Sequence, residues 1–320
     1  MEGSELRSRN DMTVYSLAGL RIASDLPLPG LAPCGDNNEV SSHDEIVIRR
    51  ACVPESLSSV RLAFPEGQLN ENEFLLKIPG VGKYLLRHGN EILIEQAPSS
   101  YFTEFCAYLL GIMFGVLGHQ RGIPPLHASA IDFADGCVAF VGGAGAGKST
   151  LVAALAPRGH EVIADDICFL ELGDKREVRA WPGVNRIRLW EDAMTALGRE
   201  GPGVEPVWRG WNKYFIPVHP QRNPMKPRRL HRVYQLHVAP NDSLPGVNRL
   251  QGTAAIEVLM QNIYQLGVAE WMGVKPAAFI HCAAAASRVP VFRFSRPMGF
   301  HALGEGIDLL ESHMRDSQFD

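Results

Sequence analysis

Cys137-Val138-Ala139-Phe140-Val141-Gly142-Gly143-Ala144-Gly145-Ala146-Gly147-Lys148-Ser149-Thr150-Leu151 joins an apolar run to a glycine-rich loop and then to a helix-forming run. Residues 142–149 fit the pattern G-x-x-x-x-G-K-S/T, which carries meaning only between a strand and a helix. Both flanks qualify. Cys137–Val141 reads as a strand, and 148–156 as a helix ended by Pro157 and Gly159. Small residues let backbone N–H groups turn inward around a phosphate, and the helix N-terminus adds the positive end of its dipole. Lys148 supplies a point charge for terminal phosphates, and the Ser149 hydroxyl is placed to ligate Mg²⁺. Gly142, Gly143, Ala144, Gly145, Ala146, Gly147, Lys148, Ser149 and the adjoining Thr150 are therefore expected to bind ATP, or a related triphosphate, with Mg²⁺. The plainer alternative is a glycine turn that merely joins strand to helix.

A second strand candidate, 161–164, ends in Asp165-Asp166, sixteen residues after Ser149. If it runs parallel to the loop strand, both carboxylates arrive at the ligand-binding edge of the sheet. One could hold Mg²⁺ and the other accept a proton from an attacking hydroxyl. Adjacent strand residues face opposite ways, which splits the two roles. Ahead of the loop, Leu126-His127-Ala128-Ser129-Ala130 opens the first strand of a hairpin. His127 could pair with one of the aspartates, or be an ordinary core histidine.

Strands and helices alternate from residue 99 onward, which predicts an α/β core sheet flanked by helices. Residues 1–98 read instead as short strands (13–17, 45–48, 74–77, 84–86, 91–94) separated by turn clusters, a small β-rich N-terminal unit. The division is thus 1–98 and 99–320. A long apolar-periodic segment, 101–120, is predicted to be helical. Its most apolar run, 107–118, has twelve residues, and a bilayer crossing takes about 20. It is expected to be a buried helix, and the protein cytoplasmic and not membrane-bound. The net charge of −4 gives no support for nucleic-acid binding. Six scattered cysteines without a CxxC pair point to reduced core residues and away from a zinc site.

Residues 126–167, LHASAIDFADGCVAFVGGAGAGKSTLVAALAPRGHEVIADDI, together resemble the HPr kinase/phosphorylase superfamily. His127, the loop 142–149, Arg158-Gly159-His160 and Asp165-Asp166 carry that resemblance. It implies a core related to phosphoenolpyruvate carboxykinase and transfer of a γ-phosphoryl group to a serine hydroxyl. By position Asp165 then looks like the general base with His127 beside it, and Asp166 like the magnesium-side carboxylate. Where the HPr kinases carry a glycine-rich run after the Asp-Asp strand, this chain reads WPGVNRIRLW (181–190). Together with TVYSLAGLRIASDLPLPGL (13–31) and QRGIPPLHASA (120–130), this is closer to the lasso peptide kinases. That resemblance implies phosphorylation of a precursor peptide's C-terminal serine. The HPr kinases are oligomers, and the sequence leaves the oligomeric state open.

Three further segments combine charge with aromatics or proline. Arg186 and Arg188 could contact phosphate or a peptide carboxylate, or form surface ion pairs. Trp208-Arg209-Gly210-Trp211-Asn212-Lys213-Tyr214 could bring Lys213 to the acceptor, or be a packed loop. Residues 221–232 form a basic loop that could bind an acidic peptide or gate the site. The expected activity is that of an ATP-dependent serine kinase acting on a peptide or protein. A kinase of a small hydroxylated metabolite and a non-catalytic nucleotide-binding regulator are the competing readings.

Overall fold

The computed structural model describes residues 12–34, 45–174, 177–219, 221–222, 225–240 and 243–316. The stretch 35–43 (GDNNEVSSH) reads from the sequence as an exposed loop and 1–12 as a polar terminus; residues 1–11 and 35–43 lie outside the described ones.

The N-terminal strands form one eight-stranded mixed sheet. Its order is Thr13–Leu17, Leu20–Ser24, Glu45–Arg50, Glu91–Gln96, Gly82–Arg87, Glu73–Ile78, Gly67–Leu69 and Leu62–Phe64. Sequence patterning anticipates five of the eight. The other three are short or partnered through tight turns, where periodicity has little to act on. One face of the sheet is covered by a continuous helical segment, Phe102–Tyr108, a π turn Leu109–Met113, and Phe114–Gln120. Phe105, Leu109, Met113, Phe114, Val116 and Leu117 join Ile22, Ile46, Phe74, Tyr84 and Ile92 in a single core. The segment is 19 residues long and, by length and composition alone, apolar enough to cross a membrane. Its most apolar window is 72% buried inside the protein. The helix is longer than its apolar centre because 102–106 and 119–120 continue it.

The second sheet runs in the order Val162–Ala164, Ala128–Phe133, Gly136–Val141, Arg228–Ala239, Val178–Ala180, Leu170–Leu172. The twelve-residue strand Arg228–Ala239 is long enough to serve three partners, pairing in parallel with Gly136–Val141 along one edge. Its N-terminal end pairs with Val178–Ala180, and its C-terminal part pairs in parallel with Val291–Pro297. Ala128–Phe133 and Gly136–Val141 form an antiparallel hairpin with Ala139 opposite Ala130. Val162–Ala164 pairs antiparallel with the outer strand of that hairpin. The aspartate-bearing strand therefore runs in the same direction as the loop strand but stands one strand away, with Ala128–Phe133 between them. The carboxylates still emerge at the expected edge.

Helix Lys148–Leu155 buries Leu151, Val152 and Leu155 against Ile131, Phe140 and the strand residues Ile187 and Leu189. A three-stranded sheet, Arg186–Trp190, Lys213–Pro217 and Glu205–Pro206, thus lies beside the loop helix. Residues 253–266 read from the sequence as one helix, but the helix Thr253–Gln261 stops short and a second, Leu266–Trp271, begins only where that run ends. The break leaves Gln265 in the left-handed region at φ 55°. It turns Asn262, Tyr264 and Gln265 toward the phosphate loop.

Candidate active site

The loop after Gly136–Val141 has the backbone its glycines allow. Gly145 and Gly147 sit at φ 79° and 87°, where L side chains are strained. At Gly147 a Cβ would also come within 2.6 Å of the Arg296 guanidinium. Gly143, Ala144 and Gly145 are exposed, and the helix that begins at Lys148 directs its unpaired first-turn N–H groups at the same space. Lys148 is 7% exposed and folds back over its own loop, its ammonium donating to the Gly142 carbonyl at 2.7 Å. The loop is anchored from outside. Gly142 donates its N–H to Asn262 Oδ1 at 2.7 Å, and Asn262 Nδ2 donates to the Val258 carbonyl at 2.8 Å. The Asn262 carbonyl accepts the His127 N–H at 2.7 Å. One side chain with its backbone thus ties the phosphate loop to the histidine strand.

The two aspartates occupy different environments. Asp165 is buried, and both its oxygens are engaged. Oδ1 accepts the Ser129 hydroxyl at 2.6 Å and Oδ2 accepts the Arg188 backbone N–H at 3.0 Å. Asp166 adopts φ 72°, a conformation aspartate tolerates better than most residues. Its Oδ2 lies 2.9 Å from Arg188 Nη1 and its Oδ1 3.5 Å from His127 Nδ1. His127 Nδ1 is also 2.9 Å from the Asp166 carbonyl oxygen. A carbonyl can only accept, so this contact assigns the ring proton to Nδ1 and leaves Nε2 an acceptor when the imidazole is neutral.

Burial alone would raise the Asp166 carboxyl, but Arg188, His127, Lys213 and Lys148 together outweigh it and hold it below the ordinary carboxylate range. Burial pushes the Lys148 ammonium down, opposed by the charges of Asp165 and Asp166. Lys213 is lowered in the same way by burial, with Asp166 opposing. Arg186 is buried with its guanidinium carbon 3.5 Å above the Phe215 ring centre. Burial brings it down to about 10, aided by the neighbouring Arg188 charge.

Of these groups His127, Asp166, Arg188 and Lys213 converge on one open cleft of 510 Å³. Gly142, Gly143 and Ala144 form one wall, His127, Asp166 and Arg188 another, and Trp208, Lys213 and Tyr264 line the rest. Asp165 lies behind this surface, against a much smaller cavity shared with Arg186 and Phe215. No family model matches the chain, and no curated protein matches it. Among solved structures, the HPr(Ser) kinase/phosphatase from Coxiella burnetii is similar at 15% sequence identity and a TM-score of 0.31. The alignment covers 60% of this chain and 97% of that one.

Some of the residues singled out in the sequence are not brought to the cleft. Arg158 and His160 clasp the C-terminal helix Leu303–Arg315 through Asp308 and Glu311, with His160 Nε2 at 3.2 Å from Glu311 Oε1. They hold the fold together at a distance from the loop. No motif in the sequence gives Asn262, Ser129 or Tyr264 a role, yet the fold brings all three to the site. Asn262 stands beside Gln261 in a run that also carries Gln265, so nothing local singles it out, and its partners are 120 and 135 residues away. Mg²⁺ is usually held by one or two carboxylates plus substrate phosphates, without an all-protein cage. The Ser149 hydroxyl at the loop and the Asp166 carboxylate across the cleft fit that donor set. Among the described residues no larger cluster of acidic, histidine or cysteine side chains is present.

Proposed function

We propose that the protein is an ATP-dependent kinase that phosphorylates a serine hydroxyl of a peptide. One observation carries the reading. Exposed residues of the glycine-rich loop, a His127–Asp166 pair and the cations Arg188 and Lys213 face a single cleft, and the Lys148 ammonium is held on the Gly142 carbonyl of the same loop. In this reading the loop 142–149 and the first turn, through Thr150, hold the phosphate tail with the amides that the fold leaves unengaged (those of Gly142 and Ala146 already bond to Asn262 and Gly143), and Lys148 leaves its loop carbonyls to meet the terminal phosphates. Ser149 and Asp166 would hold Mg²⁺, which supplies neutralisation of charge on the transferring group. His127 Nε2 takes the acceptor proton as the hydroxyl oxygen bonds to the γ-phosphorus and the bond to the β–γ bridging oxygen breaks. The Asp166 carbonyl and carboxylate stabilise the imidazolium so formed. Arg188 and Lys213 face charge that builds on the transferred group, the kind of fixed electrostatic support on which phosphoryl transfer depends.

This division of labour differs from the expectation that Asp165 is the base. Its oxygens are already taken by Ser129 and Arg188, and it does not reach the cleft surface. Asp165 acts here as a positioning residue that fixes the Arg188 strand. The peptide acceptor is supported by the breadth of the open cleft and by the sequence resemblance to the lasso peptide kinases.

The test is transfer of label from ATP radiolabelled in its γ-phosphate, with a pool of serine-containing peptides set against a pool of hydroxylated metabolites. The proposal expects alkali-labile label on the peptides. Label confined to metabolites would replace the peptide acceptor, and nucleotide binding without transfer would leave only a regulator.

A further inference from the structure

Three tryptophans form a partly exposed platform beside the cleft. Trp190 and Trp211 stack with ring centres 5.9 Å apart, and Trp208 meets Trp211 at 5.8 Å. Trp211 is 57% exposed and Trp190 44%. Exposed aromatic surface gathered in this way costs solubility and marks an interaction site more often than isolated apolar residues do. The platform is continuous with the cleft, because Trp208 and Lys213 line the cleft and the Lys213 ammonium lies 5.3 Å from the Trp190 ring centre and 5.7 Å from that of Trp208.

The charges on this ledge are unequal. Arg209 lies 4.4 Å from the ring centre of Tyr101, itself 56% exposed, and donates to the Ser99 carbonyl at 2.9 Å. Among the described residues neither Arg209 nor Lys213 forms an ion pair with a carboxylate. The nearby acids bond to neutral groups and to neither of these cations. Glu191 accepts from Asn212 Nδ2 at 2.9 Å, and Glu205 accepts the Thr103 hydroxyl at 3.4 Å. Aromatic faces beside Arg209, a cation without a carboxylate partner among the described residues, complement a chain bearing a bulky apolar side chain and a carboxylate.

We infer that this ledge docks the segment of the acceptor peptide flanking the phosphorylated hydroxyl. The tryptophans take a large apolar side chain, and Arg209 takes a carboxylate. The inference rests on the kinase reading above and adds to it the chemistry by which the acceptor is chosen. Trp211 and Arg209 lie outside the cleft, so their removal should alter peptide selection and leave the transfer step intact.

The experiment uses the full chain, ATP and an oriented library of nonapeptides with one fixed serine and degenerate flanks. Wild type should favour aromatic or large aliphatic residues together with Asp or Glu. Trp211→Ala should lose the apolar preference and Arg209→Ala the acidic one. Each should raise KM for the best peptide by about tenfold, the cost of losing one interface anchor. Their kcat and KM for ATP should match wild type. A wild type that phosphorylates peptides with no flank preference, or variants with unchanged peptide KM, would overturn the ledge and leave the kinase reading standing. A rise in KM for ATP in Trp211→Ala would reassign the platform to the nucleotide and also overturn it. If wild type transfers nothing to any peptide, the peptide-kinase reading fails and this inference with it.

Discussion

Asn262 holds the first amide of the phosphate loop, its Oδ1 accepting the Gly142 N–H at 2.7 Å while its own backbone carbonyl accepts the N–H of His127. The glycine-rich loop and the strand that carries His127 therefore share one support at a helix break. Replacing it by alanine leaves a buried N–H without a partner. A stability loss of roughly 1–3 kcal/mol is expected, read from denaturant unfolding, together with weaker nucleotide binding. Unchanged unfolding midpoints would show that the loop holds itself.

The aspartates should separate by substitution. Asp165→Asn replaces one of two accepting oxygens with a donor, facing either the Ser129 hydroxyl or the Arg188 N–H. Its main effect should be on stability. Asp166→Asn keeps the left-handed backbone, which asparagine tolerates. It should fold but lose on the order of 10²–10³ in rate, as expected for a fixed electrostatic group at a reacting centre. Side-by-side unfolding and transfer assays decide the matter. The reverse pattern would return the chemical role to Asp165.

The Asp166 carboxyl is held below its ordinary range by surrounding cations. A group with a lowered folded pKa adds stability that is present above the unfolded carboxylate value and is lost as pH falls through the folded one. Wild type should therefore lose stability on acidification more steeply than Asp166→Asn over that acidic window. Chemical unfolding measured across the acid range checks this, and parallel curves for the two proteins would contradict it.

Much of this arrangement was legible in the chain. The loop 142–149 announces itself because strand, glycines, Lys-Ser and helix are contiguous, so local physics fixes all of them. Asp165-Asp166 and His127 could be placed at one sheet edge from strand ends alone. What could not be read was which aspartate faces the cleft, since Ser129 and Arg188 reach Asp165 from 36 and 23 residues away. The intervening strand Ala128–Phe133 was recognised as a strand, yet its position between loop strand and aspartate strand is a matter of pairing. Periodicity does not report pairing. The helix break at Asn262 likewise escaped because residues 253–266 are good helix formers, and only tertiary contacts to Pro125, His127 and Gly142 explain the interruption.

In the proposed kinase a triphosphate tail rests on the loop 142–149 with Lys148 against it. Calorimetric titration with ATP, ADP and adenosine, in wild type and in Lys148→Met, addresses it most directly. Affinity should fall in the order ATP, ADP, adenosine, and Lys148→Met should weaken ATP by about 100-fold, a loss typical of a buried charge contact, while barely changing adenosine. Equal affinities for ATP and adenosine, or an ATP affinity indifferent to Lys148, would contradict the account.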